Sequence, residues 1–175
     1  MVIIRRALEE DLAGIAALAA RLVRYHHDLD PLRFMNVPDA AEGYRQFLRG
    51  EMRSGDTVIL AALRETESGI RVVGYTYARI EPRNWNDLLD RCGRLHDVFV
   101  AEEERRQGIA RKLVIETIRH LEELGAPRIV LHTAMYNGEG QELFTSLGFR
   151  TTMLEMTRET QQRAPRRSTY PPPES

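Results

Sequence analysis

Arg105-Arg106-Gln107-Gly108-Ile109-Ala110 is the stretch on which the fold turns. The apolar run Leu95-His96-Asp97-Val98-Phe99-Val100 precedes it, and apolar residues at helical spacing follow it. The order is strand, short turn, helix start. The first N–H groups of a helix have no partner within it, and the helix dipole favours an anion there. Gly108 lacks a Cβ and Ala110 carries only a methyl, so a ligand can come close to the backbone at both. Arg105 and Arg106 add charged donors. The stretch is neither a G-x-x-x-x-G-K-S/T loop nor a G-x-G-x-x-G loop, so those nucleotide fingerprints do not apply.

Outward from this loop the chain reads as one α/β domain over residues 1–160, with an Arg- and Pro-rich tail over 161–175. Its 175 residues allow one sizeable core. The formal net charge of -1 gives no reason to invoke nucleic acid or an anionic membrane. The single cysteine, Cys92, excludes an intrachain disulfide and a multi-cysteine metal site. No apolar run reaches the length of a membrane span, and the start lacks the order of a signal peptide. These features point to a cytoplasmic protein.

Residues 2–6 read as a first strand. Leu12, Ile15, Ala16, Ala19, Leu22 and Val23 recur at helical spacing, which predicts a helix over 9–27, stopped by Pro31. Ala41, Tyr44, Phe47, Leu48 and Met52 give a second helix its apolar face. Residues 57–63 and 70–80 read as a hairpin, with 65–69 as its turn. Residues 82–93 are polar and loop-like, and 95–100 form the next strand. Ala110, Leu113, Val114, Thr117, Ile118, Leu121 and Leu124 line a helix that ends at Gly125-Ala126-Pro127. A buried strand over 128–133, a short helix over 139–147 and a strand pair within 149–158 complete the reading. The unit over 95–133 predicts a crossover between parallel strands, and the hairpin an antiparallel pair, so the sheet is mixed.

Arg105-x-x-Gly108-x-Ala110 resembles the Q/R-x-x-G-x-G/A signature of the GCN5-related N-acetyltransferases, the GNAT superfamily. Further along, Asn137, Leu143-Phe144 and Leu147-Gly148-Phe149 resemble the family's N-x-x-A-x-x-L-Y-x-x-x-G-F segment. The order of elements fits from Val2 to about Glu159. The resemblance implies the acyl-CoA N-acyltransferase fold, with a sheet splayed at the cofactor strand and about four flanking helices. It implies acetyl transfer from acetyl-CoA, with no metal, to an amine of a small molecule or peptide. Val98, Phe99 and Val100 would then face the pantetheine arm with backbone groups, and a backbone N–H near Phe99 would stabilise the developing oxyanion. Arg105, Arg106, Gln107, Gly108, Ile109 and Ala110 would hold the pyrophosphate. Core packing alone also accounts for Val98 and Val100.

Attack requires a neutral amine, and a primary amine is mostly protonated at neutral pH. His96 is the first candidate base, at a place where polyamine acetyltransferases of the family carry a Glu; a structural histidine is the alternative. Alternation along a strand sends His96 and Asp97 to opposite faces unless a bulge intervenes. The family's acidic tyrosine falls at Phe144, which has no proton to give. Phe144 can still pack against pantetheine, and Tyr136 is the substitute considered. Gly140 stands where the family has Ala. Asn137 suits either a cofactor contact or a helix N-cap. Tyr25, Asp28 and Asp97 are candidate acceptor contacts, with Asp30 beside them. Metal binding through His26, His27, Asp28 and Asp30 is disfavoured, because adjacent helical residues diverge by ~100°. Trp85 walls the pocket or anchors its loop.

A rival reading is a non-catalytic acyl-CoA-binding or regulatory domain. A third is a partner-binding domain acting through its tail. The segment Thr151-Thr152-Met153-Leu154-Glu155-Met156, placed at a sheet edge, predicts a homodimer, since exposed edges tend to be paired.

Overall fold

The computed structural model describes residues 1–67 and 69–160. Strand β1 (Val2–Arg6) leads into a 3-10 turn (Glu9–Asp11) and helix α1 (Leu12–Leu29), and α2 spans Ala40–Glu51. Strands β2 (Thr57–Thr66), β3 (Gly69–Glu81) and β4 (Cys92–Val100) follow. After a second 3-10 turn (Glu102–Glu104) come α3 (Ile109–Glu123), β5 (Ile129–Leu131) and α4 (Gly138–Ser146). The sheet order is β1-β2-β3-β4-β5, antiparallel throughout except for the parallel pair β4 and β5. The mixed sheet and the four helices agree with the sequence reading.

Strand alternation builds a core on each face of the sheet. Ile59, Ala61 and Leu63 of β2 meet Leu12, Ile15 and Leu22 of α1 and Leu48 of α2 on one side. Val58, Leu60 and Ala62 of the same strand pack with Leu113, Val114 and Leu121 of α3 on the other. The start of α1 is fixed locally. Buried Asp11 accepts the Leu8 N–H at 2.7 Å and pairs with Arg5 Nη1 at 2.6 Å.

Two expectations fail. The strand over 128–133 shrinks to three residues, and these are half-buried. No strand pair forms within 149–158, where residues 151–160 are exposed and belong to no helix or strand. The two failures are linked, since β5 ends too early to offer a long edge. The tail over 161–175 lies outside the described residues.

Two features of the sheet position the site. First, β5 pairs with β4 only from Gly93 to Leu95, while β4 runs on to Val100. On the side away from β3, β4 beyond Leu95 therefore has no strand beside it among the described residues. Second, β4 carries a bulge. Tyr77 pairs with Asp97 and Ala78 with Leu95, so His96 is the extra residue.

Candidate active site

The loop has the left-handed backbone that an anion cradle needs. Arg106 has φ 63° and Gly108 has φ 74°, and Gly108 caps α3. Left-handed residues alternating with extended or helical ones turn successive N–H groups toward one concavity. A non-glycine residue pays roughly 1–2 kcal/mol for that conformation, so Arg106 stores strain at this loop. A Cβ built on Gly108 would meet nothing within 4 Å. The space over the backbone there is open.

From this loop a cleft of about 360 Å³ runs along the free edge of β4. It brings together Val98, Phe99 and Val100, then Arg105, Arg106, Gly108, Ile109 and Ala110, with Tyr25 of α1 and Asn137 and Phe144 of the α4 region. Leu22 and Leu143, which the sequence marks only as apolar positions, and Glu104, which it does not mark at all, also line it.

Several assigned side chains do something other than expected. Arg105 donates from Nε to the Val100 carbonyl at 3.2 Å, and its guanidinium lies over the rings of Tyr25 and Phe99. It fastens the end of β4 to the loop. Arg106 projects outward, 3.8 Å from Glu139. The Gln107 side chain turns from the cleft, accepting from Arg64 at 2.8 Å. Behind the loop, buried Glu104 sits 2.5 Å from both Arg64 of β2 and Arg71 of β3. This carboxylate anchors the loop to the sheet. In the sequence it looks like one of three solvated glutamates.

Of the two roles proposed for it, Asn137 takes that of the helix cap, and it also lines the cleft. Its Oδ1 caps α4 by accepting the Gly140 N–H at 3.2 Å and also accepts the Tyr25 hydroxyl at 3.3 Å. A Cβ at residue 140 would lie 2.5 Å from Asn137 Nδ2, so an Ala there would require the Asn137 side chain to shift. Tyr136 is 69% exposed and does not line the cleft, so the geometry lends no support to its role as acid. The tyrosine that does line the cleft is Tyr25. Asp28 is exposed and also lies outside the lining, as do His96 and Asp97, which sit further back along β4. His26 and His27 each bond a backbone carbonyl through Nδ1, to Leu22 and Phe34. No cluster of three candidate metal ligands occurs among the described residues. Trp85 is exposed, with Arg83 stacked over it.

The bulge corrects the expectation that His96 and Asp97 diverge. The His96 ring stacks on Tyr77 at 4.9 Å and 18°, on the α1/α2 face of the sheet. Asp97 lies on that same face, accepting the Tyr75 hydroxyl at 3.1 Å and that of Tyr44. His96 Nε2 is 3.1 Å from Glu81 Oε1. Burial pulls the His96 pKa below its ordinary value, against the opposing effect of Glu81, so the ring is mainly neutral at pH 7.

Burial likewise pushes the Asp97 carboxyl up to about 6, despite the two tyrosine hydroxyls that favour its charged form. The folded chain therefore holds this proton to higher pH than the unfolded chain does. That contribution to stability is full below the ordinary aspartate range and is lost as pH rises through 6. A displacement of this size corresponds to at most about 3 kcal/mol. Asp97→Asn should accordingly stabilise the fold at pH 8 and have little effect at pH 4. Urea unfolding of both forms at the two pH values checks this; a difference that does not grow with pH would refute it.

The family model described as Acetyltransferase (GNAT) family matches residues 22–149. The chain belongs to that family. It is 29% identical over 87 residues to a mycothiol acetyltransferase of Pseudarthrobacter chlorophenolicus, covering 50% of this chain and 26% of that protein. It is 28% identical over 87 residues to the D-amino-acid N-acetyltransferase HPA3 of Saccharomyces cerevisiae, covering 50% and 52%. The chain thus spans about a quarter and a half of the lengths of these relatives. Its fold is similar to that of the aminoglycoside N-acetyltransferase AAC(6')-Iy in complex with CoA, with a TM-score of 0.68 at 16% identity. That likeness covers 92% of this chain and 95% of the other.

Proposed function

We propose that this protein is an acetyl-CoA-dependent N-acetyltransferase that moves the acetyl group directly to an amine of a small molecule or peptide. One observation carries the reading: the unpaired edge of β4 leads, through the 3-10 turn, to a left-handed loop with open space over Gly108. An extended amide-bearing arm finds backbone partners along that edge, and a pyrophosphate finds N–H groups at the loop. These residues fit acetyl-CoA, and family membership supports it.

In this reading His96 accepts the proton that the amine loses as it attacks the thioester carbon. The C–S bond breaks and the thiolate leaves. A thiol of ordinary pKa, about 8.5, departs without an acid at the Phe144 position. Tyr25, which lines the cleft, is the proposed acceptor contact, Asp97 stays behind it on the α1/α2 face, and the cytoplasm is the proposed location. The test is CoA release from acetyl-CoA with a panel of D-amino acids, aminoglycosides, polyamines and peptides. At least one amine should be acetylated. Tight acetyl-CoA binding with no turnover across the panel would favour the non-catalytic alternative.

The homodimer also belongs here, on a revised basis. The expected sheet-edge strand is absent, yet Met153, Leu154 and Met156 are strongly exposed and β5 leaves an open edge. Sedimentation at micromolar concentration should give twice the 20.1 kDa chain mass. A monomer alone would remove the proposal.

A further inference from the structure

The geometry points to Glu81 as a positioning residue that fixes the tautomer of His96 and leaves its Nδ1 lone pair free for the acceptor's proton. This rests on the reading of His96 as base. Glu81 is the last residue of β3, fifteen positions before His96, and the two meet only because the hairpin and the bulge fold them together. A carboxylate can only accept, so the 3.1 Å contact requires the hydrogen on Nε2. In the neutral ring Nδ1 is then bare. Tyr77 fixes the plane of the ring by stacking, and Phe47 of α2 holds Tyr77 edge-on at 5.4 Å. The Tyr77 hydroxyl is itself held by Glu51 at 2.8 Å. The ring thus has its plane set by one neighbour and its proton by another.

The charges around this pair are mixed. Arg79 of β3 lies between Glu51 at 3.1 Å and Glu81 at 3.7 Å. Arg94 of β4 and Arg79 both disfavour the imidazolium, Glu81 favours it, and Asp97 lies on the same face. Removing the Glu81 carboxylate therefore lowers the His96 pKa further. It also frees the ring to hold its proton on either nitrogen.

Two measurements test this on the full chain. Nitrogen-15 NMR of the imidazole reads the tautomer without any acceptor. The wild type should hold the proton on Nε2, Glu81→Ala should show a mixture, and Glu81→Asp should recover much of the wild-type state. Turnover of acetyl-CoA with the best amine of the panel is the second. Glu81→Ala should lower kcat on the order of tenfold or more, as a part of the base's contribution. It should shift the acid limb of the pH profile downward and leave the KM for acetyl-CoA unaltered. An unaltered tautomer and limb in Glu81→Ala, with His96→Ala impaired, would overturn the positioning role and leave the base intact. Full turnover in His96→Ala would overturn it instead through the base, whatever the tautomer.

Discussion

Gly108→Glu should reduce acetyl-CoA affinity by a factor on the order of 100 or more, the equivalent of about 3 kcal/mol. The new side chain would enter the open space above the loop, where no protein atom lies within 4 Å of its Cβ. It would bring a carboxylate to the place where N–H groups and the helix dipole otherwise favour a phosphate. The fold should tolerate the change, because its cost is the left-handed backbone at φ 74°, roughly 1–2 kcal/mol for a residue with a Cβ. Gly108→Ala separates the two effects. It carries the same backbone strain without bulk or charge, and should bind within about tenfold of wild type, a factor equal to 1.4 kcal/mol. Calorimetry on both variants, with melting curves to show that they are folded, makes the comparison. Wild-type affinity in Gly108→Glu would take the loop out of the site.

The loop was legible because its signals are local. Small residues, a preceding apolar strand and a following amphipathic helix all lie within thirty positions. The helices were legible for the same reason, and the two cores follow from period-two and period-3.6 spacing. What depends on pairing was not. The bulge at His96 arises from the register between β3 and β4, which spacing along one strand does not reveal. That register decides that His96 and Asp97 share a face, and it alone brings Glu81 to His96. Glu104 was hidden in a run of three glutamates, only one of which the fold buries between two arginines. Arg105 matched its motif, yet its side chain stacks on Tyr25 and Phe99. A motif specifies a residue type, whereas burial decides which atoms remain free. The segment over 151–156 shows the converse error. Its composition suits a strand, but β5 offers only three residues of neighbouring edge.

His96→Ala should lower turnover by roughly 10²–10⁴-fold, the usual contribution of a positioned general base. Acetyl-CoA affinity should hold, because the loop and the β4 backbone are untouched. The direction of the pKa shift sharpens the expected profile. Burial outweighs the Glu81 carboxylate and places the His96 pKa below that of a free imidazole, about 6.5. The rate should therefore rise through a limb below that value and be near its plateau at pH 7, where the ring is neutral and able to accept. In His96→Ala that limb should disappear, leaving only the ionisation of the acceptor amine at higher pH. Asp97 is the competing group on the same face, and its carboxyl titrates at about 6. The two are separated by their variants. Loss of the limb in His96→Ala, with the limb kept in Asp97→Asn, assigns the proton to the imidazole. The reverse pattern assigns it to Asp97, whose tyrosine partners would then be released as it takes up the proton. Steady-state CoA release between pH 4.5 and 9 decides between them, and an unaltered rate and limb in folded His96→Ala would remove the imidazole from the chemistry.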